Sequence, residues 1–458
     1  MKQTNSSREL AAEMIGREHD VAYIMACVAE ADCCSIVGMS NIGKSTVLRS
    51  LALPEVRQEH LGPDPHKHVF VYVDFNLMLQ MTEQGFYEVV LRSARDTLET
   101  GHADGELMAI MDQNYQTVIS PDSQFTGPLA FEKSLDTVCR KVGVLVLLLD
   151  EFDEVLGEIE PRVFVRLRAL KDKHGARLCC VTATGTPLVQ IRRGRQAGEF
   201  CELFATHTRH LAPLSETSAR ELIQDWVAQS GVEFTAGDTD VLLEWAGGHP
   251  VLLQVTCRFL ARAKEEALFG PTGVDHSRVR ERLNSDANVR LECAKLWNDL
   301  NSNEQETLIA LLSGEDVSAT LDPLLEKGIV LVSAEGPRVF AGLFAGFARR
   351  QRLVRRGGPQ GVRMDVEAGD IWVDGKLALT LTDLEYKLLL LLYGRLDKIC
   401  GKYMIVESVW GESYIDEVDD ARIEKLVSRL RHKIEPVPEE PRYLTTVRGR
   451  GYKLISPE

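Results

Sequence analysis

Gly38-Met39-Ser40-Asn41-Ile42-Gly43-Lys44-Ser45 follows the spacing G-x-x-x-x-G-K-[ST], a pattern suited to holding a run of phosphates. Glycines let backbone N–H groups turn toward phosphate oxygens, and a helix starting at the end of the loop adds partial positive charge. Lys44 would reach the β- and γ-phosphates and Ser45 would take Mg²⁺, with Thr46 next on the same helix. The setting agrees: Ser35-Ile36-Val37 is a short apolar run before the loop, and Ser45 onward has a helical pattern. Farther along, Val144–Leu149 is apolar throughout and runs into Asp150-Glu151. A buried strand ending in two carboxylates predicts that Asp150 holds the metal through water and Glu151 polarises an attacking water. Asp153 and Glu154 are expected to cap or solvate the next helix. Arg177–Thr184 is a further apolar run, ending Thr182-Ala183-Thr184-Gly185-Thr186. Either Thr182 or Thr184 senses the γ-phosphate, or these are ordinary polar strand ends. Arg192, Arg193 and Arg195 supply an arginine finger to a neighbouring subunit, or form a solvated turn.

A second chemistry lies near the other end. Over Asp420–Ile434, Ile423, Val427, Leu430 and Ile434 recur at spacings of 4, 3 and 4, the core face of a helix. Arg422, Lys425 and Arg429 recur at 3 and 4 on another face, flanked by Arg431 and Lys433. Such a face fits a DNA major groove, where guanidiniums meet guanine edges and phosphates. Tyr443–Val447 and Tyr452–Ile455 then bracket Arg448-Gly449-Arg450-Gly451, predicting a hairpin whose basic tip enters a minor groove or grips phosphate. A basic helix alone is most simply a solvated face. Helix and hairpin together point to double-stranded DNA.

The elements that position these groups alternate. Apolar runs at Cys33–Val37, Val69–Phe75, Val142–Asp150, Leu178–Thr184 and Thr206–Leu211 are separated by helical patterns at Lys44–Leu53, Phe86–Thr100 and Arg162–Lys173. This order predicts an α/β domain over residues 1–210, a parallel sheet with helices on both faces. Gly101–Pro128 is expected as an irregular surface insertion. A helical block follows over 211–290, with Ser215 as N-cap and Gly247-Gly248-His249-Pro250 as its break. Residues 291–350 predict two helices, Asn303–Leu312 and Ala319–Lys327, then strands Ile329–Ser333 and Arg338–Ala341 turning at Gly336-Pro337. Residues 351–361 continue the basic run Arg349–Pro359, read as a linker: solvated, touching DNA backbone or docked on the acidic body. Residues 362–458 predict short strands, a helix Thr382–Tyr393 with Glu385 completing a capping box, a helix Tyr403–Trp410, the basic helix and the hairpin.

Composition sets limits. The 458 residues carry a net charge of −15, with 44% hydrophobic and 26% charged residues, a balance that excludes global disorder. No apolar run approaches the ~20 residues of a membrane helix, and no apolar leader is visible, so the expectation is a cytoplasmic protein without membrane contact. The ten cysteines form no C-x-x-C pair and read as reduced, buried thiols rather than zinc ligands. Residues 351–458 hold 18 basic and 18 acidic side chains, leaving 35 basic and 50 acidic before them. Within 421–453, nine basic residues face four acidic ones. An acidic body with a locally basic tail permits one small DNA-reading surface and argues against bulk coating of nucleic acid.

Residues from about 8 to 350 resemble the STAND-type, Orc-related branch of AAA+ ATPases. Ile15-Gly16-Arg17-Glu18 is similar to the box that lies against adenine in that family, Gly38–Ser45 to Walker A and Leu147–Glu151 to Walker B. Leu211-Ala212-Pro213-Leu214 resembles the passage into a helical lid, and Gly248-His249-Pro250 the lid motif whose proline, Pro250 here, contacts nucleotide. The block at 291–350 resembles the winged-helix domain that completes the switch. From about 362 onward the chain resembles an OmpR/PhoB-type winged-helix effector domain, through Leu381-Thr382-Asp383-Leu384-Glu385-Tyr386, Val409-Trp410-Gly411, Ser428–Lys433 and Thr446–Tyr452. That likeness implies Arg429 and Arg448 as base or groove readers, Arg431 as a phosphate contact, Lys425 as a target-dependent position, and Gly411–Val418 as a segment that touches RNA polymerase. The combined expectation is an ATP/ADP- and Mg²⁺-dependent, slowly hydrolysing transcription regulator. It would form nucleotide-dependent homo-oligomers and answer to an unidentified signal protein or ligand. An Orc-like initiator or mobile-element ATPase that remodels DNA is one alternative. A defence or signalling ATPase whose tail binds protein is another.

Overall fold

Five parallel strands carry the N-terminal half: β1 (Cys34–Val37), β2 (His68–Asp74), β3 (Val144–Asp150), β4 (Leu178–Thr184) and β5 (Thr208–His210), in the order β2-β3-β4-β1-β5. This computed structural model describes residues 14–455 except 63, 65–66, 102, 193–194, 266–274, 335, 356–360, 366–369, 375, 378–380, 411–419 and 448. β3 and β4 are central and buried along nearly their whole length, which is why they read as unbroken apolar runs. The register pairs Val37 with Thr184, Leu149 with Thr182, and Asp74 with Asp150. The strand ends that matter for chemistry therefore share the carboxyl edge of one sheet, where ligands bind in open α/β folds.

Aromatic packing stiffens one face of this sheet. Phe75 stacks on Phe86 at 5.4 Å between centroids, Tyr87 on Phe131 at 4.4 Å, and Phe152, Phe164, Phe200 and Phe204 continue the cluster. The expected insertion at Gly101–Pro128 is instead regular. Helix Gly105–Ile119 is capped by Asp104, which accepts the Leu107 N–H, and helix Thr126–Val142 follows. Leu107, Met111 and Val118 are buried on one face, but polar residues between them dilute the pattern in sequence.

Helices Glu216–Ser230, Ala236–Ala246 and Pro250–Glu265 come next. Ser215 caps the first through the Ser218 N–H, and Thr235 caps the second in a capping box with Asp238. Then come Ala287–Asn298, Ser302–Leu312 and the short Asp322–Glu326, followed by the hairpin β6 (Val330–Ser333) and β7 (Gly336–Val339). Gly336-Pro337 belongs to β7, paired with Ser333 and Val332, and is not the turn its sequence suggested. Helix Gly342–Arg355 runs into the start of the expected linker, because Leu343, Phe344, Phe347 and Ala348 are buried and anchor it. The rest of that linker, 356–360, lies outside the described residues.

The chain forms two compact units, the first of Met1–Val279, Leu291–Leu311 and Glu315–Ala345, the second of Arg280–Arg290, Leu312–Gly314 and Gly346–Glu458. The second holds an antiparallel sheet of β8 (Val362–Asp365), β9 (Asp370–Val373) and β10 (Lys376–Leu377), then helices Asp383–Tyr393, Lys402–Val409 and Asp420–Ile434, and a hairpin of β11 (Leu444–Val447) and β12 (Gly451–Leu454). Its core joins Leu388, Leu392, Ile405, Val406, Leu426, Val427 and Leu444. Gly451, at φ +123°, lies so close to Cys400 that a Cβ would fall 2.1 Å from the Cys400 carbonyl oxygen. All ten cysteines are buried free thiols. Among the described residues no helix is long and apolar enough to cross a membrane.

Candidate nucleotide site and DNA-reading helix

The loop between β1 and helix Lys44–Leu51 turns on two left-handed residues, Asn41 at φ 57° and Gly43 at φ 108°. Gly38 has no room for a side chain, since a Cβ would lie 2.8 Å from Ile42 Cγ2. Lys44 is buried, and its ammonium donates to the carbonyls of Gly38 at 2.9 Å and Met39 at 3.2 Å. Ser45 and Thr46 follow in the first turn of the helix, both half-buried. Gly38 N–H donates to the Thr184 carbonyl at 3.1 Å, which ties the loop to the end of β4.

The two threonines of β4 separate in role. Thr182 donates its hydroxyl to Ser35 at 3.1 Å inside the sheet. The Thr184 hydroxyl is buried with no hydrogen-bond partner, a state that calls for a ligand or water. On the neighbouring strand Asp150 is buried, and both its oxygens are engaged: Tyr72 donates its hydroxyl at 2.5 Å and the Glu151 N–H donates at 3.1 Å. Burial, then the bond to Asp150, pushes the Tyr72 hydroxyl well above the usual phenol range. Glu151 stands in the left-handed region at φ 55°, a strained turn of the kind found at functional sites. Loss of hydration raises its carboxyl; Lys44 opposes this, and Asp150, Asp153 and Asp74 add to it. Asp153 does more than cap a helix. It accepts the Gly185 N–H at 2.9 and 3.1 Å, pinning the turn that follows Thr184. Burial raises its carboxyl, with the bond from Gly185 opposing.

Arg17 is buried and spans three parts of the first unit. It donates to the carbonyls of Ile42 at 2.7 Å and Ala212 at 2.9 Å and pairs with Asp20 at 3.3 Å. The neighbouring Ile15 and Gly16 are half-buried; Gly16, at φ +74°, would place a Cβ 2.5 Å from Ser218. The passage and the helical block meet at Gly248, whose carbonyl accepts the Leu214 N–H at 2.8 Å. His249 is wholly buried. Its Nδ1 accepts the Leu252 N–H at 3.3 Å, so Nε2 carries the proton and donates to the Ser40 carbonyl at 3.0 Å. Burial lowers its pKa to about 4. Pro250 opens the helix that follows, the position that suits proline.

Arg192, a candidate finger, donates to the carbonyls of Leu156 and Ile159 within its own domain. The side chains of Arg193 and Arg195 lie outside the described residues. An orphaned buried hydroxyl on Thr184, the buried Lys44 ammonium and a carboxylate pair at the strand end fit a nucleotide phosphate with Mg²⁺.

In the second unit the basic helix buries Ile423, Leu426, Val427, Leu430 and Ile434. Arg422, Lys425 and Arg429 are exposed, as is Arg450 at the hairpin tip. Arg448 and the segment Gly411–Val418 lie outside the described residues. Two expected DNA contacts, both half-buried, also make bonds within the domain. Arg431 donates to the Leu444 carbonyl at 2.7 and 3.0 Å and to Thr446 at 2.8 Å, bracing helix to hairpin. Lys433 pairs at 2.8 Å with the buried Glu385, whose carboxylate also accepts the Thr382 N–H. Arginine and lysine look alike on a helical wheel whether or not they also bond within the protein, so spacing alone did not show these bonds. Tyr72 and Glu435 were not visible in the sequence, because each finds its partner through the fold. Glu435, for example, accepts the N–H groups of Arg442, Tyr443 and Leu444.

The sequence profile of the family described as Novel STAND NTPase 1 matches residues 7–313. The chain belongs to that family. The C-terminal end of this STAND NTPase, residues 376–454, matches the family described as Transcriptional regulatory protein, C terminal. The sensory transduction protein RegX3 of Mycobacterium leprae is 36% identical over 121 residues, covering 24% of this chain and 60% of that protein. RegX3 of Mycobacterium tuberculosis is 31% identical over 171 residues, covering 31% and 74%. Among solved structures, the Walker-type ATPase PABY2304 of Pyrococcus abyssi aligns at 12% identity and a TM-score of 0.46, covering 73% of this chain and 96% of that one. The Klebsiella pneumoniae RstA DNA-binding domain in complex with RstA box aligns at 23% identity and a TM-score of 0.19, covering 21% and 93%. This STAND NTPase therefore joins an NTPase domain to a winged-helix domain of the OmpR/PhoB DNA-binding type.

Proposed function

We propose that the chain is an ATP-controlled, DNA-binding transcription regulator. The observation that carries this reading is the presence on one chain of a phosphate loop, with Lys44, Asp150 and Glu151 beside it, and an exposed basic helix face of Arg422, Lys425 and Arg429. Loop N–H groups and Lys44 hold the phosphates, Arg17 and Pro250 flank the nucleotide, and Thr184 senses its terminal phosphate. Ser45 and Asp150 hold Mg²⁺, which when bound neutralises charge on the phosphates. Glu151 orients water for slow hydrolysis, which resets the switch. Residues 1–210 act as the nucleotide domain, 211–290 as its lid, 291–350 as the first winged helix, and 362–458 as the output domain.

ADP favours a closed monomer. ATP, with an inducing signal, favours an open or oligomeric form that sets several output domains on repeated sites and gains avidity without new contacts. Such coupling requires ATP to bind the two forms with different affinity. Arg429 and Arg448 read the DNA, and Arg450 grips phosphate. The deciding experiment is a genome-wide DNA pull-down of wild type, Lys44→Ala and Arg429→Ala at one fixed salt concentration, because phosphate contacts make affinity salt-dependent. A few discrete peaks, lost in Arg429→Ala and altered in Lys44→Ala, are expected. An absence of peaks with folded, ATP-bound wild type would overturn the regulator reading and favour a protein-binding tail.

A further inference from the structure

Asp150 is a buried charge without a counter-charge beside it. It is 1% exposed and, among the described residues, forms no ion pair. A carboxylate so placed is costly unless donors and a cation meet it. Two donors do: the Glu151 N–H reaches Oδ1 at 3.1 Å and the Tyr72 hydroxyl reaches Oδ2 at 2.5 Å. The Tyr72 bond lies at the short end of the charge-assisted range of about 2.5–2.7 Å. An ionised carboxylate accepts about four hydrogen bonds, so about half its capacity stays open. The fold delivers Tyr72 by register. Asp74 pairs with Asp150 across β2 and β3, and residues two apart on a strand share a face, so Tyr72 approaches Asp150 diagonally. Its ring is held from the helix after the phosphate loop, where the Arg49 guanidinium lies 5.0 Å from the ring centroid, a cation–π distance. Phenylalanine would serve the ring contact as well; only the bond to Asp150 requires the hydroxyl.

We infer that Tyr72 is a positioning residue for Mg²⁺: its hydroxyl fixes the orientation of the Asp150 carboxylate and so sets how well this site retains the metal. The inference rests on the nucleotide site proposed for this loop, and adds to it a residue from β2, a strand that carries none of the phosphate-site motifs. Two effects of the hydroxyl compete. The phenol draws charge from the carboxylate, which weakens its pull on a cation. It also stops the carboxylate turning about its Cβ–Cγ bond. A group that holds a metal through water depends on that orientation, because hydrogen bonds weaken steeply away from their axis. Loss of such a supporting bond costs about 10–100-fold in metal affinity, so orientation outweighs the lost charge. Tyr72 acts through Asp150, and its effect therefore requires that acid.

Full-length wild type, Tyr72→Phe, Asp150→Asn and the double variant are titrated with a fluorescent, non-hydrolysable ATP analogue, in EDTA and over a series of Mg²⁺ concentrations. Each is melted first to show that it is folded; Tyr72→Phe removes a single oxygen atom. Tyr72→Phe is expected to bind as wild type does in EDTA, and to need about tenfold more Mg²⁺ for half of the metal-dependent gain in affinity. In the Asp150→Asn background the same change is expected to alter affinity at no Mg²⁺ concentration, the signature of two residues acting as one unit. An unchanged Mg²⁺ midpoint in Tyr72→Phe, or an equal loss of affinity with and without Mg²⁺, overturns the assignment and leaves the nucleotide reading standing. So does an equal effect of Tyr72→Phe in the wild-type and Asp150→Asn backgrounds. Absence of binding by folded wild type overturns both.

Discussion

Two arginines two residues apart on the basic helix do different work. Arg429 is exposed, whereas Arg431 makes three hydrogen bonds to β11. Arg431→Ala strands the Leu444 carbonyl and loosens the hairpin, and should destabilise the second unit by about 1–3 kcal/mol. Arg429→Ala leaves that bracing intact and should change stability by no more than about 0.5 kcal/mol, while abolishing specific DNA binding. Urea melts paired with DNA-binding titrations check this: equal stability loss in the two variants would show that Arg429 is structural as well. At this scale the sequence was most informative where chemistry is local. The loop Gly38–Ser45 and the pair Asp150-Glu151 were legible because a strand and the residues after it are contiguous. Tyr72 was not legible as a partner of Asp150, because the contact is made only when β2 pairs with β3 in the observed register. Asp153 was misjudged for the same reason, since Gly185 reaches it only through the parallel pairing of β3 and β4.

Among elements, the break between two helices carries the loop's back side. Gly248 is pressed against Leu214, where a Cβ would lie 2.0 Å from the backbone oxygen, and this packing delivers His249 to Ser40. The sequence marked Gly247–Pro250 as a break. It did not mark the histidine as buried, because burial here depends on a neighbouring block. That burial has a pH signature. The ring's folded pKa of about 4 lies below its ordinary value of 6.5, so between these values the unfolded chain binds more protons than the folded one. The contribution of neutral His249 is therefore complete above pH 6.5 and is lost as pH falls toward 4, at about 1.4 kcal/mol per pH unit. Glu292, Asp299 and Arg17 also act on the ring, so the useful quantity is the difference between wild type and His249→Gln. Glutamine keeps a donor for the Ser40 carbonyl without titrating. Denaturant melts from about pH 7.5 to about pH 4.5 should show wild type losing stability more steeply than the variant over the acidic half of that range, and parallel curves would refute the assignment. The helices at Gly105–Ile119 and Gly342–Arg355 were missed for a plainer reason: mixed polar residues hide a short apolar stripe, and a basic run resembles a linker until Phe344 and Phe347 are seen to anchor it.

For the whole molecule, charge decides what DNA can touch. The net charge of −15 falls entirely on residues 1–350, while 351–458 balance to zero and 421–453 carry an excess of five positive charges. Long-range repulsion from the acidic part disfavours wrapping, so phosphate contacts should come from the small basic surface of the output domain alone. The number of phosphates neutralised is read from the slope of log affinity against log salt, about 0.9 per contact on duplex DNA. Arg450, exposed at the hairpin tip, is expected to supply one of them. Arg450→Ala should weaken binding to specific and random duplexes by a similar factor and lower the slope by about one. Arg429→Ala should instead erase the difference between the two duplexes, because base contacts specify and phosphate contacts position. Running both variants over about 50–300 mM salt with ATP and with ADP separates surface from switch. If nucleotide acts by arranging several output domains on DNA, ATP raises the slope of every variant by engaging more domains. If nucleotide changes affinity without changing the slope, the number of phosphate contacts is the same in both states, and assembly on repeated sites is ruled out as the means of control.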